Sequence, residues 1–122
     1  MILADTSVWV EHFRRGHSGL RKLLEEGEIA MHPFIYGELA CGNLPERIRT
    51  LSLLAALPWL ALANDAAVLY AIDLRKWSGR GIGWIDAHLL TSALLTQMPL
   101  WTLDRRLYGI AAQAGVAWIN RI

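Results

Sequence analysis

MILADTSVWVEHFRR, Met1 to Arg15, decides how the chain is read. A short apolar run, MILA, leads straight into Asp5, then into two hydroxyl residues able to cap a helix, Thr6 and Ser7. In the segment that follows, Trp9 and Phe13 fall one turn apart, as the inner face of a helix requires, and Gly16 ends the pattern. The order is a buried strand, an acid at its carboxyl end, and a helix packed back against it.

The same alternation continues along the chain. Leu20, Leu23 and Leu24 make the stripe of a second helix ending at Gly27, and EIAMH fits a second strand. Pro33 and FIYGELACG give a short helix carrying Glu38, and Pro45 is placed to open another over PERIRTLSLLAAL. A brief strand is expected around Leu60 to Leu62. Asn64 then caps DAAVLYAIDLRKW, with Val68, Leu69 and Ile72 turned inward. WIDAHLLTSALLTQ is apolar on nearly all sides, which suits a central helix. PLWTL, RRLYGIAAQAG and VAWIN complete the series as strand, helix and strand. Strands alternating with helices imply a parallel sheet covered on both faces: a three-layer α/β/α sandwich built as one domain from residue 1 to 122.

Composition narrows the function. The 122 residues are 54% hydrophobic and 19% charged, which favours two-sided burial or an oligomer. The longest apolar run, Leu51 to Ala63, is too short to span a bilayer and is interrupted by Pro58, so no membrane association is expected. Cys41 is the only cysteine, which leaves no disulfide framework and no thiolate zinc site, and it suits a small core position in a cytoplasmic protein. A net charge of +1 excludes a uniformly basic coat, so a polyanion would be bound locally.

The acids carry the chemical signal. Folds of this kind place their sites beyond the carboxyl ends of the strands. Asp5 follows the first strand and Asp104 follows PLWTL. Glu38 and Asp86 lie among apolar neighbours with no basic residue at helical spacing, an arrangement that costs free energy unless a cation compensates it. A hard divalent ion is the economical compensation, since Mg²⁺ and Mn²⁺ take carboxylates together with water and phosphate oxygens. Each acid has a plainer reading beside this one. Asp5 and Asp104 can cap helices, Asp86 can favour the start of its own helix, Glu38 can be a solvated helix acid, and Asp104 can pair with Arg105 or Arg106.

MILADTS, the helix with Glu38, IGWIDAHLLTSAL and LWTLDRRL together resemble the PIN-domain nucleases, and among them the VapC toxins of toxin–antitoxin pairs. The resemblance runs in order over the whole chain. It implies a metal-dependent endoribonuclease, commonly a homodimer, held inactive by a cognate antitoxin. It also implies that Asp5, Glu38, Asp86 and Asp104 are an acidic quartet that binds Mg²⁺ or Mn²⁺ and cuts RNA.

Around that quartet, Ser7 and Thr102 are candidate substrate hydroxyls, and Arg14, Arg15 and Arg105 candidate phosphate contacts. Trp9 or Trp84, if exposed, could reach a nucleotide. His88 is two positions from Asp86 and so points off its face, which suits a structural histidine. His12, His17 and His32 are expected to be structural or surface residues, the last in a loop before Pro33. Asp65 needs no function in a first helical turn, and Asp73 is a natural partner for Lys76. GRGIGW lacks the lysine of a phosphate loop, so Gly81 and Gly83 are turn residues. Two other functions compete. A receiver-like phosphosignalling domain needs an acidic pair after the first strand and a lysine after the fifth, and the chain has neither. A non-catalytic PIN-like module binding RNA or protein has no use for an intact quartet.

Overall fold

A computed structural model describes residues 1–119 of the chain. Three strands form a parallel sheet in the order β2-β1-β3: β1 (Ile2–Ala4), β2 (Ile29–Ala30) and β3 (Leu100–Trp101). Leu3 lies opposite Ala30 on one side and Leu100 on the other, which makes β1 the central strand. Single parallel bridges extend the sheet at both edges, Met31 with Trp59 beyond β2 and Leu100 with Ala117 beyond β3. All strand residues are buried, as in a sheet covered on both faces.

Seven helices among the described residues cover it: α1 (Thr6–Arg15), α2 (Ser18–Glu25), α3 (Pro33–Cys41), α4 (Arg47–Ala55), α5 (Asp65–Arg75), α6 (Trp84–Thr96) and α7 (Arg105–Gln113). Most bounds follow the local chemistry. Gly16, at φ 76°, ends α1, and the Asn64 side chain accepts the Ala67 N–H to start α5. α6 is the central helix its composition demands, with every residue from Ala87 to Ala93 buried. No helix among the described residues is long and apolar enough to cross a membrane.

Several expectations are corrected. The strand placed at Leu60 to Leu62 is reduced to a bridge at Trp59, and VAWIN to a bridge at Ala117, its last residue, Asn120, lying outside the described residues. Pro45 does not open α4: Glu46, in the left-handed region at φ 44°, intervenes, and the helix starts at Arg47. Leu69 faces outward, 55% exposed, because Val68 takes the inward position of α5. Cys41 is exposed at the end of α3 rather than in the core.

β2 and β3 both follow β1 in the chain and lie on opposite sides of it, so the connections leave β1 toward one edge of the sheet and return to the other, and strand order reverses at β1. The carboxyl ends of β1 and β3 flank that reversal, where an open parallel sheet leaves a crevice.

Candidate metal centre

Asp5 leaves β1 at the crevice and is 5% exposed. It, not Thr6 or Ser7, is the N-cap of α1, its Oδ1 accepting the Val8 N–H at 3.3 Å. The same oxygen accepts the Ser7 hydroxyl. Burial raises the Asp5 pKa from 3.8, and hydrogen bonds from Ser7, Thr102 and the Val8 and Ser7 backbone offset only part of that cost.

The hydroxyls beside Asp5 tie it to the other acids. Thr6 Oγ1 donates to Glu38 Oε1 at 2.8 Å, joining the start of α1 to α3. Ser7 Oγ accepts the Leu103 N–H at 2.9 Å and lies 3.4 Å from Thr102 Oγ1, which accepts the Asp104 N–H at 3.0 Å. Asp104 is in turn the N-cap of α7, accepting the Leu107 N–H at 3.0 Å. A short polar chain thus connects the ends of β1, α3 and β3.

Asp86 enters from the opposite wall, in the first turn of α6. Its carboxylate reaches back to the N–H of Gly83, the N-cap residue, which is one half of a capping box. Burial is again the main cause of its raised pKa, and the negative charges of Asp5, Asp104 and Glu38 push it further in the same direction. The four acids therefore share one field, although no three such donors among the described residues already converge on a single point.

Among the described residues none of the four is within ion-pair distance of a lysine, arginine or histidine, and the ion pairs there join Met1 to Glu28, Arg15 to Glu11 and Asp65 to His88. Asp104 does not pair with Arg105 or Arg106, nor Asp73 with Lys76, whose left-handed backbone ends α5. Two carboxylates withdrawn from water, Asp5 and Asp86, with two exposed ones, Glu38 and Asp104, beside them make an all-oxygen donor set of the kind that fits a hard divalent ion.

The outer candidates divide. The hydroxyls of Ser7 and Thr102 face Asp5 and the β3 turn. Arg14 is exposed on a groove of about 500 Å³ that it lines with Thr6, Val10, Phe13, Glu38 and Leu39. Arg15 is paired with Glu11 at 3.5 Å, and Arg105 is exposed in the first turn of α7. Trp9 is buried and cannot reach a nucleotide, whereas Trp84 is 40% exposed beside Asp86.

Sequence reasoning missed three residues. Thr6 was seen only as a cap, and its link to Glu38 spans 32 positions, beyond any local pattern. Asp65 holds His88 Nε2 at 3.2 Å. Of the two readings open for His32, structural or surface, it takes the structural one: it is fully buried and caps α3, a role the sequence did not specify. An His-Pro step before a helical segment was the available signal for its capping role.

A parallel sheet with this crevice at its strand-order reversal suits a PIN domain, whose family model matches residues 2–113, and the chain belongs to that family. Within it, the chain is 43% identical over 123 residues to Ribonuclease VapC32 of Mycobacterium tuberculosis, strains CDC 1551 / Oshkosh and ATCC 25618 / H37Rv, covering 100% of this chain and 99% of each relative. Among solved structures it is similar in fold to a toxin-antitoxin complex from Klebsiella pneumoniae (TM-score 0.64, 20% identity, 85% of this chain and 87% of that one). PAE2754 from Pyrobaculum aerophilum gives a TM-score of 0.62 at 17% identity, over 89% of this chain and 83% of that one.

Proposed function

We propose that this protein is an endoribonuclease that depends on Mg²⁺ or Mn²⁺ and acts as the toxin of a toxin–antitoxin pair. The observation that carries the reading is the field at Asp86: a half-buried carboxylate pushed up by burial and by three other acids, with no ion-pair partner among the described residues. Full-length likeness to a ribonuclease VapC32 supports the RNA substrate and the toxin role.

Asp5 and Asp86 would hold the principal ion, with Glu38 and Asp104 completing its shell or a second one. A divalent ion bound there supplies Lewis acidity toward water and toward the leaving oxygen of a phosphodiester. The chain's own part is positional. Ser7 and Thr102 aim the Asp5 carboxylate, Thr6 holds Glu38 beside it, and the α7 cap holds Asp104. Arg14 and Arg105 flank the acids as exposed cations able to take RNA phosphates, while Arg15, already paired, contributes less.

The groove beside Glu38 has an apolar floor of Val10, Phe13, Leu39, Leu44 and Pro45, with Arg14 at its rim. A segment of the cognate antitoxin lying there would cover Glu38 and exclude RNA. A homodimer is supported by the exposed Leu69, Tyr70 and Leu74 of α5, apolar side chains that a second copy would bury.

Purified protein freed of antitoxin should cleave RNA with Mg²⁺ or Mn²⁺ and stop on chelation, and Asp86→Asn should lower cleavage at least a hundredfold while remaining folded. Equal activity in Asp86→Asn and wild type would overturn the mechanism. RNA binding with no cleavage under either ion would favour the non-catalytic module.

A further inference from the structure

Behind the acids, His32 is fully buried and takes no part in the chemistry described above. Both of its ring nitrogens are engaged. Nδ1 accepts the Phe34 N–H at 3.0 Å, which makes His32 the N-cap of α3. Nε2 lies 3.3 Å from Ser92 Oγ, in the middle of α6. A ring whose Nδ1 accepts a hydrogen bond and which is neutral carries its proton on Nε2, so His32 donates to Ser92. Burial, and behind it the charge of His88, lowers the His32 pKa to about 4, so the neutral ring persists at physiological pH.

The two helices joined in this way are those that carry Glu38 and Asp86. Along α3 the chain runs from residue 32 to residue 38, and along α6 from residue 86 to residue 92. Each stretch is roughly 9 Å of helix. The Glu38 and Asp86 carboxylates interact at one end of these stretches, and His32 meets Ser92 at the other. A row of rings fills the space between. Phe34 packs edge-on against His88 at 4.7 Å, and His88 against Trp84 at 4.8 Å. Trp84 stands in the same first turn of α6 as Asp86.

We propose that His32 is a positioning residue: by joining the N-cap of the Glu38 helix to Ser92 of the Asp86 helix, it sets the separation of those two carboxylates and hence the affinity for the divalent ion. The proposal rests on the reading of Glu38 and Asp86 as metal ligands. The link is directional and shape-specific. A histidine spans two jobs that shorter or flexible side chains can perform only singly, the cap through Nδ1 and the strut through Nε2.

That division supplies the test. Asn at position 32 keeps a good N-cap oxygen but cannot reach Ser92; Gln can reach Ser92 but caps poorly. Titration of the apo protein with Mn²⁺ alone, followed calorimetrically, should show His32→Asn and Ser92→Ala each weakened about tenfold, with the double variant no weaker than either single one. His32→Gln should recover most of the affinity despite a lower Tm. In RNA cleavage at subsaturating Mn²⁺, His32→Asn should lower kcat and leave KM for RNA unchanged.

Asp86→Asn is the reference. If it loses Mn²⁺ binding while His32→Asn and Ser92→Ala bind as wild type does, the strut is structural only and the proposal fails alone. If Asp86→Asn also binds Mn²⁺ unchanged, the metal centre itself is misassigned, and the positioning role fails with it.

Discussion

The hydroxyl of Ser7 donates to Asp5 and accepts the N–H of Leu103, so a single atom joins the carboxyl ends of β1 and β3. Removing it in Ser7→Ala breaks the link to the exposed Leu103 N–H and takes away a hydrogen bond that favours ionised Asp5. The stability cost should be about 1–2 kcal/mol by chemical denaturation. The loss of Asp5 orientation should weaken Mn²⁺ binding about tenfold or more, as for other residues that aim a ligand. Ser7→Thr, which keeps the hydroxyl, should restore both. The sequence showed Ser7 close to an acid but not the direction of its hydroxyl, since the acceptor and donor it joins lie on strands about a hundred residues apart. Asp5 itself was legible because it ends the first strand. Its capping of α1 is the plainer reading open to an acid at that position, and it is compatible with a site because one oxygen caps and the other remains for other use.

Elements with a one-sided or an all-round apolar pattern were read correctly, and those with an ambiguous one were not. α1 and α6 match the sequence pattern almost to the residue. In α5 the apolar residues Val68, Leu69, Ile72 and Leu74 occupy more than one face, and only packing against α6 decides that Val68 is buried and Leu69 and Leu74 exposed. The short edge strands were blurred for a related reason: single bridges at Trp59 and Ala117 leave too few residues for a period to show. The end of α6 permits a test at this scale. Gln97 adopts φ 54°, its N–H bonded to the Leu94 carbonyl and that of Met98 to the Ala93 carbonyl, as in a Schellman motif. A side chain in the left-handed region is strained and glycine is not. Gln97→Gly should therefore raise stability by about 1 kcal/mol, or roughly 4 °C in Tm, without changing cleavage. Gly81 presents the opposite case. At φ 84°, with the Arg106 side chain lying across it, a Cβ would come within 2.6 Å of Arg106 Cδ, so Gly81→Ala should destabilise the loop that leads into Asp86.

For the whole molecule, two groups of wholly or partly buried side chains set opposing responses to acid. Asp5 and Asp86 have raised pKa values, so above 3.8 the native protein holds protons that the unfolded chain has released. Stability from these groups falls as pH rises through their native pKa values. His32 works in the other direction. Between about 4 and 6.5 the unfolded chain binds a proton at this residue that the native state does not, so stability is lost as pH falls through that window. The groups facing it include His88 on α6, whose positive charge adds to the effect of burial. Full displacement from 6.5 to about 4 corresponds to roughly 3 kcal/mol. His32→Asn removes this one titration and leaves the carboxylates in place. The stability advantage of wild type over His32→Asn, measured by denaturation of apo protein, should therefore shrink by roughly 2 kcal/mol between about pH 7 and about pH 5. Mn²⁺ should act on the carboxylates alone. It binds their ionised form in the native state, so it should raise the Tm of both proteins near neutrality and lose that effect on acidification. An advantage that stays constant with pH would mean that His32 titrates normally. A Tm gain from Mn²⁺ that survives protonation of Asp5 and Asp86 would place the ion elsewhere.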